Sequence, residues 1–519
     1  MQDYTEVAKL IAENNRRAAG SAMEALKLSR PQDARTWILE ASVYESYGDV
    51  GAELGAIARG LQCDPCDPEL FYMMGFALAN KNINQAYLCM EQAVFYAKLR
   101  GSSEEDLEAF RQARDELASR SGCDVRNLSV VILSYNDNDI MQKNIKSFRR
   151  FVPKGAYEIV VVDNHSDDGV QLWLRAQNDL RLIENGENAG FPIGCNIGIR
   201  ACDKDNDLLL LNNDAVPAAN AVFWLRMALY ETRNVGAVSA VSNNASTQSI
   251  ADAPDSFEEC MEYGARRNVP MKHPYEERFR FTGFCIMMKR DAYQAMLEDG
   301  DLLDARFTPA YFEDDDLGMR FAQAGYRQLL CHNAFVYHKG GSGFSSAHDV
   351  MQHSRAKFID KWGFDIWAYE GSYDEMIDLI KDKRNEPIRV LQLDCGMGID
   401  LAKIKYRYPY AYCAGIETEP RVAGIGRFMG DIVSGEAEEI VFPWTEATFD
   451  YIFASDALLR AEDPAGLLKK LTLVLAQTGR LICVTNDKRE LTDALIHNMK
   501  TLGYGNIREE GELLIGSAE

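Results

Sequence analysis

The middle of the chain carries short runs of apolar residues that each end in polar ones. Three of these runs are LSVVILSYN from Leu128, YEIVVVDNHSDDG from Tyr157 and DLLLLNNDAVP from Asp207. Helix-length segments separate the runs, a pattern that predicts a parallel sheet with crossover helices. Because the carboxyl ends of parallel strands share one edge of a sheet, the polar ends are expected to converge there. The sequence therefore places a candidate ligand site at that edge.

The first part of the chain has a helical pattern that repeats every 34 residues. Residue pairs of similar type at this separation are Pro31 and Pro65, Trp37 and Phe71, Ala41 and Gly75, Ala52 and Ala86, and Leu54 and Leu88. The period resembles that of the tetratricopeptide repeat, a stacking helix pair. The resemblance predicts an α-helical repeat domain over residues 1–122. Two interpretations stay open: a groove for a peptide or a second subunit, as in a homodimer, or a helical lid that stabilises its neighbour.

Composition and charge narrow the classes of function. The chain has 519 residues, which predicts several domains, and a net charge of −23, which argues against a nucleic-acid partner. The N-terminus lacks an apolar signal core, and no window reaches the ~18 apolar residues of a transmembrane segment. Twelve cysteines are scattered through predicted helices and strands, as expected of reduced thiols. A cytoplasmic location is therefore predicted.

The polar strand ends suit a nucleotide diphosphate. A carboxylate such as Asp163 can accept hydrogen bonds from a base N–H or a ribose hydroxyl. An aspartate at a strand end, such as Asp214, can hold a divalent cation that neutralises a leaving diphosphate. No GxGxxG follows the first strand and no GxxxxGK occurs, which disfavours dinucleotide and P-loop sites. An alternative role for Asp214 is the N-cap of a strand-to-helix turn.

The order of motifs in the middle of the chain resembles that of the inverting family 2 glycosyltransferases, which have the GT-A fold. The motifs are SVVILSYN, VVVDNHSDDG, NAGFPIGCNIG, LLLLNNDA, FTGFCIMMKRDAY, YFEDDDLGMRFAQAGY and HKGGSGF. The resemblance covers residues 126–365 and implies an α/β, Rossmann-like GT-A domain. It implies that Asp214 and His338 bind a divalent metal, Mn²⁺ or Mg²⁺. The nucleotide-sugar site that it implies consists of Ser134, Tyr135, Asp163, Asn188, Asn212 and Asn213. Asn212 departs from the family's Asp-x-Asp motif, which places its ribose contact in question.

The sequence EDDD at residues 313–316 is the candidate for the catalytic base. Inversion by a single displacement requires a carboxylate that takes the proton of the acceptor. Crowded carboxylates raise one another's pKa, which suits a general base. The resemblance matches Glu313 and Asp314 to the family's Glu-Asp pair and implies that Asp314 is the base. The alternative is an acid-rich first helical turn that complements the helix dipole. Residues 282–288 are expected to form the wall that selects the sugar.

The last third of the chain begins a second α/β pattern after a charged linker at residues 366–386. RVLQLDCGMGIDLAKI, AGIETEP, FDYIFASDALLRAEDP and GRLICVTND resemble class I S-adenosylmethionine-dependent methyltransferases over residues 387–519. The resemblance implies a cofactor site at Asp394, Gly396, Gly398 and Glu417. Three departures count against S-adenosylmethionine: Gln392 replaces an acid, Asp394 replaces a glycine, and Arg460 replaces a histidine or acid. Asp394 would crowd and repel the carboxylate end of the cofactor, so a degenerate domain with a structural or docking role is the alternative.

Two functions of different class follow from these resemblances. The first is an inverting, metal-dependent glycosyltransferase that moves a sugar from a nucleotide-sugar donor, expected to be a UDP-sugar, to an acceptor hydroxyl. Its helical repeats would select a protein or peptide acceptor, such as serine or threonine of flagellin or another bacterial surface protein. A cell-surface glycan, which similar rhamnosyltransferases extend, is the alternative acceptor. The second function is a non-catalytic scaffold.

Overall fold

The computed structural model describes residues 4–13, 15–340, 347–369, 371–485 and 489–518. These residues divide into two compact units. The first contains the described residues up to Tyr275, together with Phe281–Leu317 and Leu329–Ser354. The second contains Glu276–Arg280, Gly318–Gln328 and the described residues from Arg355 onward. No helix in these ranges is long and apolar enough to cross a membrane.

The N-terminal residues form a stack of helices, as the repeat pattern predicts. Residues 4–13 and 15–119 hold seven of them: α1 (Tyr4–Ala12), α2 (Arg16–Ser29), α3 (Ala34–Tyr47), α4 (Val50–Cys63), α5 (Pro68–Leu78), α6 (Ile83–Arg100) and α7 (Glu104–Ser119). Aspartates fix the starts of α3, α4 and α5, because the side chains of Asp33, Asp49 and Asp67 accept hydrogen bonds from first-turn N–H groups.

The middle of the chain forms a mixed α/β sheet. Its elements are β1 (Leu128–Ser134), α8 (Asn138–Phe151), β2 (Tyr157–Asp163), α9 (Val170–Arg175), β3 (Arg181–Glu184), α10 (Phe191–Ala201), β4 (Asp207–Leu211), β5 (Ala215–Pro217), α11 (Ala221–Leu229), β6 (Val235–Val241), α12 (Phe257–Arg267), β7 (Tyr275–Arg278), β8 (Cys285–Met288), α13 (Arg290–Ala295), α14 (Glu313–Gln323), β9 (Arg327–His338) and α15 (Ala347–Trp362). The strand order is β3-β2-β1-β4-β8-β6-β9-β5. The predicted parallel arrangement holds from β3 to β4, whereas β8 is antiparallel to β4.

Strand β4 is buried on both faces. All five of its residues are buried, and successive side chains of a strand point to opposite faces. Two glycines of α10 let that helix pack closely on the neighbouring strand. A Cβ at Gly194 would lie 2.4 Å from the side chain of Leu133, and one at Gly198 would lie 2.6 Å from Val131. Larger residues would push α10 away from β1, so the glycines also fix where this helix begins relative to the strand ends.

Helix α11 joins the helix stack to the sheet. All of its residues are buried. Phe223 packs against Phe71 of α5 with the ring centroids 5.1 Å apart, and Gln85 of α6 donates to the carbonyl oxygen of Met227 at 2.8 Å. Apolar side chains of the helix stack and of the sheet thus belong to one core. These contacts favour the interpretation of the stack as a helical lid that stabilises its neighbour.

Polar side chains are buried in the same interface. The hydroxyl of Tyr96 and the amide nitrogen of Gln92 donate to the side-chain oxygen of Asn220, at 2.5 and 3.2 Å. Arg226 of α11 forms an ion pair with Glu91 of α6, and their side chains are only 6% and 13% exposed. A buried ion pair costs desolvation energy when it forms, but the loss of one partner is costlier still because the other charge stays buried.

This ion pair gives a prediction for stability. Arg226→Met should lower the free energy of unfolding by about 3–5 kcal/mol, because Glu91 keeps a buried, unpaired charge. Arg226→Met combined with Glu91→Leu should recover most of the loss. The control is Arg266→Met, whose partner Glu262 is exposed and whose loss should cost less than ~1 kcal/mol. Urea unfolding measures the free energy of unfolding of each of these variants. If Arg226→Met and Arg266→Met lower the free energy of unfolding equally, the buried pair does not stabilise the interface.

The second unit contains another α/β sheet. Its remaining elements are α16 (Asp374–Asp378), β10 (Arg389–Leu393), α17 (Ile399–Arg407), β11 (Tyr412–Glu417), α18 (Pro420–Gly426), β12 (Asp431–Ser434), β13 (Phe449–Phe453), α19 (Ala457–Arg460), α20 (Pro464–Val474), β14 (Leu475–Val484), α21 (Arg489–Thr501), β15 (Tyr504–Glu510) and β16 (Leu513–Ala518). The strand order is β12-β11-β10-β13-β14-β16-β15, with β16 antiparallel to β14. This is the methyltransferase-like α/β architecture that the sequence predicts. The predicted boundaries at residues 122–126 and 365–387 stay predictions.

Candidate active site

A cavity of about 350 Å³ lies at the edge of the first sheet where β1, β2 and β4 end. It is lined by Leu133, Tyr135, Asn164, Asn188, Gly190, Phe191, Asn212, Asn213, Asp214, Thr282, Gly283, Phe284, Ala310, Tyr311, Glu313, Asp314, His338 and Gly340. Eight predicted site residues are on this wall: Tyr135, Asn188, Asn212, Asn213, Asp214, Glu313, Asp314 and His338. The polar strand ends therefore converge as the sequence pattern predicts.

Two predicted nucleotide-binding residues are not on the cavity wall. Ser134 and Asp163 are at most 1% exposed. The carboxylate of Asp163 accepts hydrogen bonds from the hydroxyl of Ser166 at 2.6 Å and from the side chain of Gln171 at 3.1 Å. The next residue, Asn164, lines the cavity instead. The nucleotide-binding roles of Ser134 and Asp163 stay predictions.

Asn164 belongs to a hydrogen-bonded group of three asparagines, of which only Asn188 was predicted from the sequence as a site residue. Its amide nitrogen donates to the side-chain oxygen of Asn188 at 2.8 Å, and its own oxygen accepts from Asn185 at 3.0 Å. The oxygen of Asn188 also accepts from the backbone N–H of Gly190 at 3.0 Å. These bonds hold the loop that leads into α10, so they fix the start of that helix at the cavity.

The predicted metal ligands Asp214 and His338 lie next to each other because their strands pair. Ala215 of β5 is opposite His338 of β9 in an antiparallel register. The His338 Nε2 atom lies 3.3 Å from a carboxylate oxygen of Asp214. The other carboxylate oxygen accepts from the backbone N–H of Gly340 at 3.1 Å. The HKGGSGF motif continues through residues 341–344, which lie outside the described residues.

The hydrogen bonds of His338 favour the tautomer that binds metals. Its Nδ1 atom lies 2.5 Å from the carbonyl oxygen of Asn244. A carbonyl can only accept, so Nδ1 carries a proton and the neutral ring has its lone pair on Nε2. Burial alone would lower the pKa of His338, but the hydrogen bond and charge of Asp214 raise it, and the net shift is upward.

The donor set suits a divalent cation. An imidazole lone pair and a carboxylate face each other at the cavity, and a cation between them would satisfy both. The described residues contain no group of three or more His, Cys, Asp or Glu side chains that could hold a metal ion. Asp214 and His338 would therefore supply two ligands, and diphosphate oxygens and water would supply the others.

The acids at the start of α14 follow a strained turn. Tyr311 and Phe312 have φ angles of 71° and 69°, which large side chains rarely adopt outside functional sites. One carboxylate oxygen of Asp314 accepts from the backbone N–H of Gly283 at 2.8 Å. Glu313 is 5% exposed, and its Oε2 atom has no hydrogen-bond partner among the described residues. Burial, and then the charge of Asp314, raise the pKa of Glu313 well above its ordinary value.

Glu313 gives a prediction for stability against pH. Because its folded-state pKa is raised, its contribution to stability is complete below its ordinary pKa of 4.5 and is lost as the pH rises toward the folded value. Glu313→Gln should remove this loss, so the melting temperature of the variant relative to wild type should increase from about pH 4 to about pH 8. Glu258→Gln, in the exposed first turn of α12, is the control. If the difference in melting temperature between Glu313→Gln and wild type does not change with pH, this result would contradict the raised pKa.

Only part of the predicted sugar-selecting wall lines the cavity. Thr282, Gly283 and Phe284 lie on the wall, whereas Cys285–Met288 is the buried strand β8. Two aromatic residues of the wall, Phe191 and Tyr311, were not predicted from the sequence as site residues. Both residues belong to motifs that were recognised in the sequence, NAGFPIG and YFEDDD, and this membership is the signal that could have found them.

The first sheet has the arrangement of a GT-A fold. Its strands β1–β4 are parallel, the rest of the sheet is mixed, and the aspartate–histidine pair lies at its edge. Residues 129–297 match the family model described as Glycosyl transferase family 2. This match covers about a third of the 519 residues of the chain. No curated protein sequence matches the chain.

Solved structures similar to this chain are distant. GalNAc-T7 with UDP, GalNAc and Mn²⁺ is 15% identical, and the match covers 47% of this chain and 49% of that chain with a TM-score of 0.36. The mannosyltransferase PcManGT from Pyrobaculum calidifontis, in complex with GDP-Man and Mn²⁺, is 18% identical, with coverage of 53% and 76% and a TM-score of 0.33. A SAM-dependent methyltransferase from Thermotoga maritima is 18% identical, with coverage of 33% and 100% and a TM-score of 0.24. This chain thus spans about half the length of GalNAc-T7.

Proposed function

We propose that this protein is an inverting, metal-dependent glycosyltransferase that moves a sugar from a nucleotide-sugar to an acceptor hydroxyl. One observation carries the proposal: the Asp214–His338 pair and the Glu313–Asp314 pair line the same cavity at the strand ends of a family 2 domain. The first pair suits a divalent metal that binds the diphosphate of the donor. The second supplies the carboxylate that a single displacement requires.

We propose a role for each of these residues, and their contacts support it. Asp214 and His338 would hold Mn²⁺ or Mg²⁺, which supplies charge neutralisation for the leaving diphosphate when it is bound. Tyr135 is 47% exposed and lines the cavity, so its ring offers a face on which the base of the donor can stack. The carboxylate of Asp314 accepts the proton of the acceptor hydroxyl as the oxygen attacks the anomeric carbon. The N–H of Gly283 orients this carboxylate through the hydrogen bond at 2.8 Å.

The donor and acceptor are the finer parts of the proposal. We expect a UDP-sugar as donor and serine or threonine of a polypeptide as acceptor. The helix stack supports a polypeptide acceptor, because helical repeats offer extended surfaces to peptides. Its contacts with α11 give it a structural role as well.

Nucleotide release from UDP-, GDP- and dTDP-sugars tests the proposed function. Slow hydrolysis without an acceptor should occur with one donor in Mn²⁺ and stop with a chelator. The same samples should be compared for thermal stability, because a donor at ~100 times its dissociation constant stabilises a protein by about 2.7 kcal/mol. If no sugar nucleotide is hydrolysed and none stabilises the protein, the function is not glycosyl transfer.

A further inference from the structure

The cofactor edge of the second sheet can be located from its strand order. The order β12-β11-β10-β13-β14 reverses direction between β10 and β13, and ligands of open α/β sheets bind at such a switch point, beyond the carboxyl ends of the strands. The predicted cofactor residues lie there. Asp394, Gly396 and Gly398 follow β10, and Glu417 ends β11.

Residues from the preceding linker cover this edge. We call the described residues from Ile366 to Tyr373 the covering segment. A Cβ at Gly396 would lie 3.3 Å from the carbonyl oxygen of Tyr369 and 3.5 Å from its Cβ. The backbone of Tyr369 is thus in contact with the glycine loop. Burial, and then the charges of the Glu417 and Glu419 carboxylates, raise the pKa of the Tyr369 hydroxyl.

The far end of the covering segment is anchored by a buried acid. Asp400 is 2% exposed and accepts hydrogen bonds from the hydroxyl of Ser372 at 2.6 Å and the backbone N–H of Tyr373 at 3.2 Å. Gln392, one of the departures from the methyltransferase pattern, donates to the same carboxylate at 2.8 Å. A glutamine suits this position because an acid would repel Asp400. Gln392 therefore stabilises the carboxylate that holds the covering segment.

The other two departures form one ion pair across the switch point. Arg460, which follows β13, donates to Asp394, which follows β10. Its Nε atom also donates to Asp456 at 2.9 Å. This pair is partly exposed, so a ligand could displace it at little cost. The contact of Tyr369 with the loop and the buried anchor at Asp400 are the stronger barriers.

The acid predicted to bind ribose is also engaged within the domain. Glu417 is 3% exposed. Its carboxylate accepts from the backbone N–H groups of Gly396 at 2.9 Å and Glu419 at 3.0 Å. It therefore stabilises the conformation of the glycine loop. The residues present do not fit S-adenosylmethionine.

We propose that the covering segment takes the place of the cofactor, so that the intact chain does not bind S-adenosylmethionine and the C-terminal domain is closed by its own linker. The three departures from the methyltransferase pattern then have one explanation. Gln392 supports the anchor of the segment, and Asp394 pairs with Arg460 across the switch point beside it, where the pair adds a weak barrier. The proposal does not depend on the activity of the first unit.

Equilibrium dialysis with S-adenosylmethionine tests the proposal on the full chain. At ~100 times a dissociation constant, a functional site would be almost filled, so ligand at roughly 1 mM would reveal any site tighter than roughly 10 µM. No ligand should be retained. Hydrogen exchange of the Gly396 and Tyr373 amides should be slow and unchanged by the ligand. Retention of the ligand, or exchange that changes when it is added, would overturn the proposal.

Two tyrosine variants test the covering segment itself. Tyr369→Ala removes the ring, whose Cδ1 atom would lie 3.7 Å from a Cβ at Gly396. Local opening then breaks fewer contacts, so exchange of the Gly396 amide should accelerate by roughly tenfold or more. Tyr410→Ala, in the same domain and 66% exposed, should leave this exchange unchanged. If Tyr369→Ala does not fold, Ser372→Ala removes only a hydroxyl and should accelerate exchange of Tyr373. Gain of S-adenosylmethionine binding by either variant of the covering segment would support the proposal. Unchanged exchange in both would refute it.

Discussion

Replacing Asp214 with alanine is expected to abolish metal-dependent binding of the nucleotide-sugar. The variant loses one of two side chains that face each other at the cavity, and the lone pair of His338 alone cannot hold a metal diphosphate. Lewis-acid assistance is worth several kcal/mol, and each ~1.4 kcal/mol corresponds to a tenfold change in rate, so nucleotide release should fall by at least roughly 10³-fold. Titration of the donor with and without Mn²⁺ measures the loss of binding, and nucleotide release measures the rate.

Asp137→Ala is the matched control for Asp214→Ala. Asp137 pairs with Lys339, next to His338, and is not among the lining residues of the cavity. Its loss removes the same charge near the site but should leave metal-dependent binding in place. Metal-dependent binding that survives in Asp214→Ala would exclude Asp214 as a metal ligand.

Asp314→Asn is expected to keep donor binding and lose sugar transfer. An amide of the same size can still accept the hydrogen bond from Gly283, but it cannot take the proton of the acceptor. General-base catalysis contributes about 10²–10⁴-fold, so transfer should fall by that factor. Donor binding should stay within a few-fold of wild type, because Asp314 is not one of the two proposed metal ligands. Parallel measurements of donor affinity and transfer rate separate the two effects.

The acids next to Asp314 provide a control variant, at Asp315, and an alternative catalytic base, Glu313. Asp315→Asn changes the next residue of the same helical turn, which is buried but is not among the residues that line the cavity. It should retain transfer. If Asp314→Asn retains near-normal transfer, the base is Glu313, whose side chain is on the same wall and whose Oε2 atom has no hydrogen-bond partner in the part of the chain that the structure describes.

The strand ends illustrate how far sequence predicts a site. The leucines of β4 predict a buried strand, and a parallel sheet brings its polar end to the ligand edge, where Asn212 to Asp214 are found. The pattern does not determine which of two adjacent polar residues reaches the cavity. Asp163 and Asn164 are one residue apart, and such a shift reverses the direction of a strand side chain. The sequence therefore predicted the edge correctly but could not choose between these two residues.

Contacts between distant parts of the chain could not be predicted in the same way. The repeat predicts the helices, but the bond between Tyr96 and Asn220 joins residues 124 positions apart. Asp394 and Arg460 were each recognisable as departures from a pattern, and only the structure brings them together over 66 positions. Local patterns determine elements, whereas the pairing of polar side chains depends on how those elements pack.

The register between β5 and β9 has a consequence for how this protein can vary. About 120 residues separate Asp214 from His338 along the chain, yet the two meet because Ala215 lies opposite His338. Loops within that interval can lengthen or shorten without moving the two side chains. A single inserted residue inside either strand would turn one of them to the opposite face. Length variation among relatives should therefore spare β5 and the end of β9 that pairs with it.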